Sequence, residues 1–298
     1  MPDCCPIVLP TLKNAMTAPA RNVSVADHSV DPPTLYEADG APTWVTRASH
    51  LVTAITQAAA GTRLGVEANP DESLVLLPDC GARVTTAAGS CEVPANRLLI
   101  LPPGDSTLEL LGPGWVLRAF TSRQAALAAR AVNAADFVAP HADVAPLQDW
   151  PAPVGCWALR VYDLDAALAE GEKTRVFRSS NLMINILRER QAARDVRALS
   201  PHAHADFEQA SVTLRGVHLH HLRWPWTPDM TTWREDRALQ VGAPSVTVIP
   251  PKVVHTTRNL GDGPALLIDL FAPPRLDFSL RAGMVRNADE YPLPGSAA

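Results

Sequence analysis

In "SPHAHADFEQASVTLRG" (200–216), His202 and His204 stand one residue apart and Glu208 follows four positions later. If this stretch is a β-strand, alternation puts His202, His204, Asp206 and Glu208 on one face, continued by Ala210, Val212 and Leu214. Pro201 pushes Ser200 towards extended geometry, as entry into a strand requires. Two imidazoles and a carboxylate facing a β core cost on the order of several kcal/mol unless something pairs them. A divalent cation is one economical partner, because neutral imidazole and carboxylate are its usual ligands. A fourth candidate ligand comes later, in "VTVIPPKVVHTTRN": an apolar run ends at Pro250-Pro251, a turn follows, and His255 opens the next strand.

Other polar and aromatic residues invite weaker readings. His218 and His220 share a strand face in "VHLHH", yet no carboxylate follows at strand spacing, so they are read as surface or barrel-mouth residues. Trp224, Trp226 and Trp233 are read as packing a barrel end or a subunit interface. Trp224 and Trp226 are also candidates for an apolar rim that meets substrate. Asn181 and Asn185 share a face just before the histidine strand, where they could hydrogen-bond substrate or equally face solvent. Asn259 is read as fixing a turn after His255, and His28, His50 and His141 receive no functional role.

The elements that must position these residues are mostly strands. Proline is frequent, 28 of 298 residues, and breaks helices and interior strands, which favours many short strands joined by turns. Residues 1–43, rich in Pro, Ala, Asp and Ser, read as an extended arm that could pack on a neighbour. Residues 44–121 read as a first β-barrel, although "SHLVTAITQAAAG" (49–61) has the cap residues of a short helix. Residues 122–173 read as a helix over 122–137, a Pro-rich linker and a short helix over 163–171. Residues 174–298 read as a second β-barrel with a C-terminal tail.

Both motifs around the histidines resemble the cupin superfamily. The first is His-x-His, three residues, Glu and a later Gly, here His202, His204, Glu208 and Gly216. The second ends in a histidine followed four residues on by Asn, here "PPKVVHTTRN", with Lys252 standing where the family usually has glycine. The resemblance covers about residues 174–275. It implies an all-β chain of two cupin-type jelly-roll barrels with a few short helices. It also implies one divalent metal ion per chain held by His202, His204, Glu208 and His255. Fe(II) is the expected ion, with Mn(II), Zn(II) or Ni(II) as alternatives. In the first half, "NPDESLVLLPDCG" and "LLILPPGDSTLEL" repeat the outline, with Glu72 at the glutamate position but no histidines. That half is expected to be a degenerate barrel without a metal set.

The function expected from this site is a dioxygenase acting on a small carbonyl-, carboxylate- or hydroxyl-bearing molecule, with Glu208 able to act as a base when displaced. The alternatives are a non-oxidative lyase, decarboxylase or isomerase using Mn(II) or Zn(II), and a non-catalytic binding protein. A formal charge of −5 without Lys/Arg runs gives no footprint for nucleic acid, nor for small or membrane-surface anions. No apolar stretch approaches a membrane span. The first sixteen residues lack the pattern of a signal peptide, and five cysteines without C-x-x-C spacing suit free thiols in a reducing cytoplasm. Cys80 and Cys91 could meet across a hairpin. Self-association as a homodimer is expected by analogy with cupins.

Overall fold

Runs such as "LVLL" (74–77) and "LLIL" (98–101) carry apolar residues at every position, the pattern of a strand buried on both faces. In the computed structural model, which describes residues 21–295, each is an interior strand. Cys4 and Cys5 and the rest of the first twenty residues lie outside the described part. The first half runs β1 (Ser24–Asp27), β2 (Leu35–Tyr36), β3 (Pro42–Arg47) and β4 (Leu51–Ala58). It continues through β5 (Arg63–Asn69), β6 (Ser73–Leu77), β7 (Ala82–Thr86) and β8 (Gly89–Val93). β9 (Arg97–Leu101), β10 (Gly104–Leu110), β11 (Gly114–Thr121) and β12 (Arg160–Asp163) complete it. The second half runs β13 (Thr174–Arg178), β14 (Met183–Leu187), β15 (Gln209–Arg215) and β16 (Val217–Arg223). β17 (Arg237–Val241), β18 (Ser245–Ile249), β19 (Val254–Leu260) and β20 (Leu266–Phe271) follow.

Each half is a pair of antiparallel sheets. The first has a seven-stranded sheet, β12-β9-β6-β11-β4-β3-β2, over a four-stranded one, β5-β10-β7-β8. The second has a six-stranded sheet, β1-β18-β15-β20-β14-β13, over a three-stranded one, β17-β16-β19. The arm contributes to both: β2 edges the first half, whereas β1 crosses to pair with β18, Val25 opposite Thr247.

Alternation divides the apolar residues between two places. Val75, Leu77, Leu99, Leu101 and Val116 face Leu64, Val84, Leu108 and Leu110, filling the first barrel with aliphatic side chains. The opposite faces of the same strands, with Ile55, Leu74, Leu76, Leu98 and Ile100, pack against Ile184, Ile186, Val212, Val246, Val248 and Ile268 of the other half. The broad apolar cluster is therefore the seam between the two large sheets. Behind it the second barrel turns a polar face inward: Gln209, Ser211 and Thr213 on β15, Ser245 and Thr247 on β18, and Asp269 on β20.

Several local expectations change. Residues 49–61 form no helix; Val52, Thr53, Ile55 and Thr56 are β-branched, and β4 is paired on both sides, with β3 and β11. The helix expected over 122–137 shrinks to α1 (Ala125–Ala128) and a 3₁₀ turn at Ala134–Phe137. Between them Asn133 bonds the backbone of Arg47 with both side-chain groups. Asp163 ends β12 and residues 164–171 form turns and irregular backbone instead of a helix, with Asp163 accepting the amides of Asp165 and Ala166. Cys80 is buried and Cys91 exposed; both are free.

Candidate metal centre

The strand expected to begin at 202 begins at Gln209. Residues 202–208 bend, and hydrogen bonds to the β18–β19 connection hold them. His202 and His255 form an isolated antiparallel bridge, with N–H···O distances of 3.1 and 2.8 Å. Directly opposed residues of such a bridge project to the same side. The amide of Lys252 donates to the carbonyl of His204 at 2.7 Å, from a backbone at φ +69°. This is a left-handed turn, which a glycine would make without strain.

The three imidazoles converge. Their ring centroids lie 4.4 Å (His202–His255), 5.0 Å (His202–His204) and 5.1 Å (His204–His255) apart. One ligand nitrogen from each lies within 4.8 Å of the others. Nδ1 of His202 meets the carbonyl of Ser200, and Nδ1 of His255 that of Val253, both at 2.9 Å. Such bonds fix the tautomer and leave Nε2 as the lone-pair donor, the usual arrangement behind a metal-bound imidazole. Nε2 of His255 is buried and has no protein partner. Burial pushes His204 down to about 3 and His255 down to about 4, so both are neutral at physiological pH. Phe207 stacks on His204 at 4.4 Å and Phe271 meets its edge at 5.9 Å. A buried, unpartnered nitrogen beside neutral, orientated imidazoles fits a divalent ion held by His202, His204 and His255.

Glu208 is not in this cluster. Its carboxylate faces the other way, accepting Arg21 Nη2 at 2.5 Å and the amide of Ser49 at 2.6 Å. The reason is the bend at Ala205–Asp206, after which odd-numbered residues point inward. Gln209 takes the inner place, its Oε1 at 3.0 Å from Nε2 of His204. Its amide nitrogen donates to Ser211 Oγ (2.9 Å) and Asp269 Oδ1 (3.0 Å), and Ser211 also donates to Asp269 (2.6 Å). The two bonds from the amide nitrogen aim the amide oxygen at the histidines. Burial raises Asp269 above the usual carboxylate range. Sequence reasoning missed Gln209 and Asp269, because only the bend decides which of two adjacent residues faces inward.

The remaining candidates scatter. Asn185 lines the cavity before the triad and bonds Thr174; Asn181 lies in the preceding turn, 4% exposed, and binds Asp149. Trp224 is buried, its indole N–H on the carbonyl of Arg21, among Val23, Leu222, Ile249 and Val253. Trp226 is 78% exposed and stacks on Trp233 at 4.7 Å, and neither lines the cavity. His218 and His220 are not at the surface: they are 3% and 0% exposed, on the inner face of β16. Asn259 holds the carbonyl of Ala192, and Glu72 is buried under Tyr291 and Ser180 at the seam. The cavity, about 620 Å³, is lined by His202 and His255 with Gln209, Asp269, Thr257 and Asn185.

No family model matches the sequence, and no curated protein matches it. Solved structures do match the fold. An oxalate decarboxylase from Lactobacillus farciminis in complex with formate superposes with a TM-score of 0.57 at 16% identity, covering 86% of this chain and 87% of that one. A Bacillus subtilis oxalate decarboxylase studied for its Mn(II) centres gives 0.55 at 15% identity, covering 84% and 77%. An oxalate decarboxylase studied for its substrate binding mode and a switch of reaction specificity gives 0.54 at 15% identity over the same shares. At this identity the likeness establishes the architecture: two cupin-type jelly-roll barrels, mainly β.

Proposed function

We propose that this chain is a divalent-metal enzyme that acts on a small organic acid without consuming oxygen, by decarboxylation or a related lyase or isomerase step. The observation that carries the proposal is the convergence of His202, His204 and His255, with His202 and His255 on the wall of a cavity. These three would hold the ion, with Gln209 Oε1 as the neighbouring oxygen donor in place of Glu208. Imidazoles and an amide carry no charge, so an ion here keeps its double charge towards the cavity. When bound, it supplies Lewis-acid stabilisation to negative charge gathering on a substrate oxygen as the bond to the departing carboxylate breaks. The carbonyls of Ser200 and Val253 keep two imidazoles in one tautomer, and Asp269 and Ser211 hold Gln209. Phe207 and Phe271 shield His204 from water. The neighbours named as oxalate decarboxylases, one with Mn(II) centres, support the non-oxidative choice and manganese.

An Fe(II) dioxygenase is the second reading, because three imidazoles with an oxygen donor suit Fe(II) as well as Mn(II). Metal analysis of protein purified without oxygen tests the site: about one ion per chain is expected, falling to near zero in His255→Ala. A well-folded wild-type protein that takes up no metal overturns the proposal. Manganese-loaded protein offered short organic acids in an oxygen electrode should release carbon dioxide with no oxygen uptake. Uptake matching turnover moves the assignment to the dioxygenase.

A further inference from the structure

The chain is acidic overall, yet the cavity before the triad gathers positive charge: Lys173, Arg188, Arg190, Arg194 and Arg275 all line it. Its lining carboxylates are Glu189, which is bonded to Arg215, and Asp269, which is half-buried and held by Ser211 and Gln209. Arg275 is compensated by Asp277 and fixed between aromatic rings, its guanidinium 3.6 Å from the Phe278 centroid. The others have no carboxylate of their own. Arg194 spends its donors on the carbonyls of Thr257 and Ala198 and on Ser200 Oγ, at 2.8 to 3.0 Å. Arg188 spends its donors on the carbonyls of Glu172 and Ala169, while the Glu172 carboxylate goes to Arg286. Neutral acceptors of this kind aim a guanidinium without cancelling its charge. Among the described residues, neither Arg190 nor Lys173 has a side-chain hydrogen bond or ion pair. Arg190 and Arg194 lie near enough to repel: Arg194 is held below the usual guanidinium range by burial and then by Arg190. Like charges assembled without a counter-ion cost free energy that a bound anion offsets. The acidic total had argued against small anionic partners, but it says nothing of how charge is distributed.

We infer that the stretch of this cavity's wall formed by Arg190 and Arg194 is an anion subsite. It takes a second carboxylate or a phosphate group of a substrate whose reacting end lies at the histidines. The inference rests on the proposed function and narrows its substrate to a doubly anionic organic acid. That acid is longer than the two-carbon diacid named for the fold neighbours. A cavity of about 620 Å³ belongs to the size class that encloses considerably larger ligands.

Calorimetric titration of metal-stripped, full-length protein with glutarate and with inorganic phosphate at low salt tests the subsite without the metal. The wild type should bind at least one, and the tighter of the two identifies carboxylate or phosphate as the natural group. Arg190→Gln should weaken that binding about tenfold or more, and Arg190→Lys by less. Because Arg190 has no side-chain partner to lose, the variant should keep its circular dichroism and its metal stoichiometry. If it does not fold, Lys173→Gln read in the same titration replaces it, with a severalfold weakening expected. Wild-type protein that binds neither probe, or an Arg190→Gln variant that binds like wild type, overturns the subsite. The metal content of the same samples separates the two claims. Metal without anion binding sinks only the subsite; anion binding without metal sinks only the metal centre.

Discussion

Glu208 and Gln209 are adjacent, and their opposite orientations decide the charge of the site. Glu208 joins three parts of the chain: the arm through Arg21, the first barrel through the amide of Ser49, and its own barrel. Arg21 is held in turn by Asp143. Glu208→Gln should therefore leave metal content unchanged while lowering the urea-unfolding free energy by about 1–3 kcal/mol, the range for breaking a buried charged hydrogen bond. Lost metal with undiminished stability would return Glu208 to the metal centre. The three histidines could be read from the sequence because residue type, order and the intervening proline turn constrain them together. The inward turn of Gln209 beside them could not. Alternation is an inference about regular strands, and two bent residues at 205–206 reverse it. His218 and His220 misled for a related reason: sequence spacing gave them a shared face but not which side of the sheet that face lies on.

The small sheets of the two halves differ by one strand. The first places β5 between β4 and β6; the second has no strand between β14 and β15, only the isolated bridges Arg190–Ala265 and His202–His255. The small sheet is a strand narrower there, and the irregular segment brings His202, Arg190 and Arg194 to the cavity. A composition reading cannot see such a gap, because the segment remains polar and Pro-punctuated whether or not it pairs. The β-character of the chain was legible, whereas the expected helices were not sound, since caps alone do not outweigh β-branched residues in a doubly paired strand. The turn from β15 to β16 depends on Gly216, at φ +77°, where an added Cβ would meet the Ala265 Cβ at 2.8 Å. Gly216→Ala should cost about 1–3 kcal/mol, read as a lowered urea midpoint, from overpacking together with left-handed backbone strain. An unchanged midpoint would mean that the turn can relax around the new methyl group.

At the scale of the whole molecule, buried neutral histidines set an acid limit. Burial pushes His28 and His218 down to about 4 each, from 6.5. Above pH 6.5 both imidazoles are neutral in either state and stability is undiminished. As pH falls from there towards 4, the unfolded chain takes up protons that the folded chain refuses, so stability drops by on the order of 3 kcal/mol per histidine. Denaturant midpoints measured from pH 7.5 to 4.5 should decline mainly below 6.5, and His218→Gln should flatten part of that slope. A flat profile in the wild type would contradict the burial. Among the described residues no helix is long and apolar enough to cross a membrane. The seam between the large sheets has a further consequence for how the two halves can exist. The histidine-bearing barrel keeps polar groups inside, with only small apolar clusters elsewhere, and its broad greasy surface is the one turned to its companion. Cut free, it would present that surface to water with little oil of its own to hold it closed. The first barrel is therefore the foundation on which the histidine-bearing barrel stays closed.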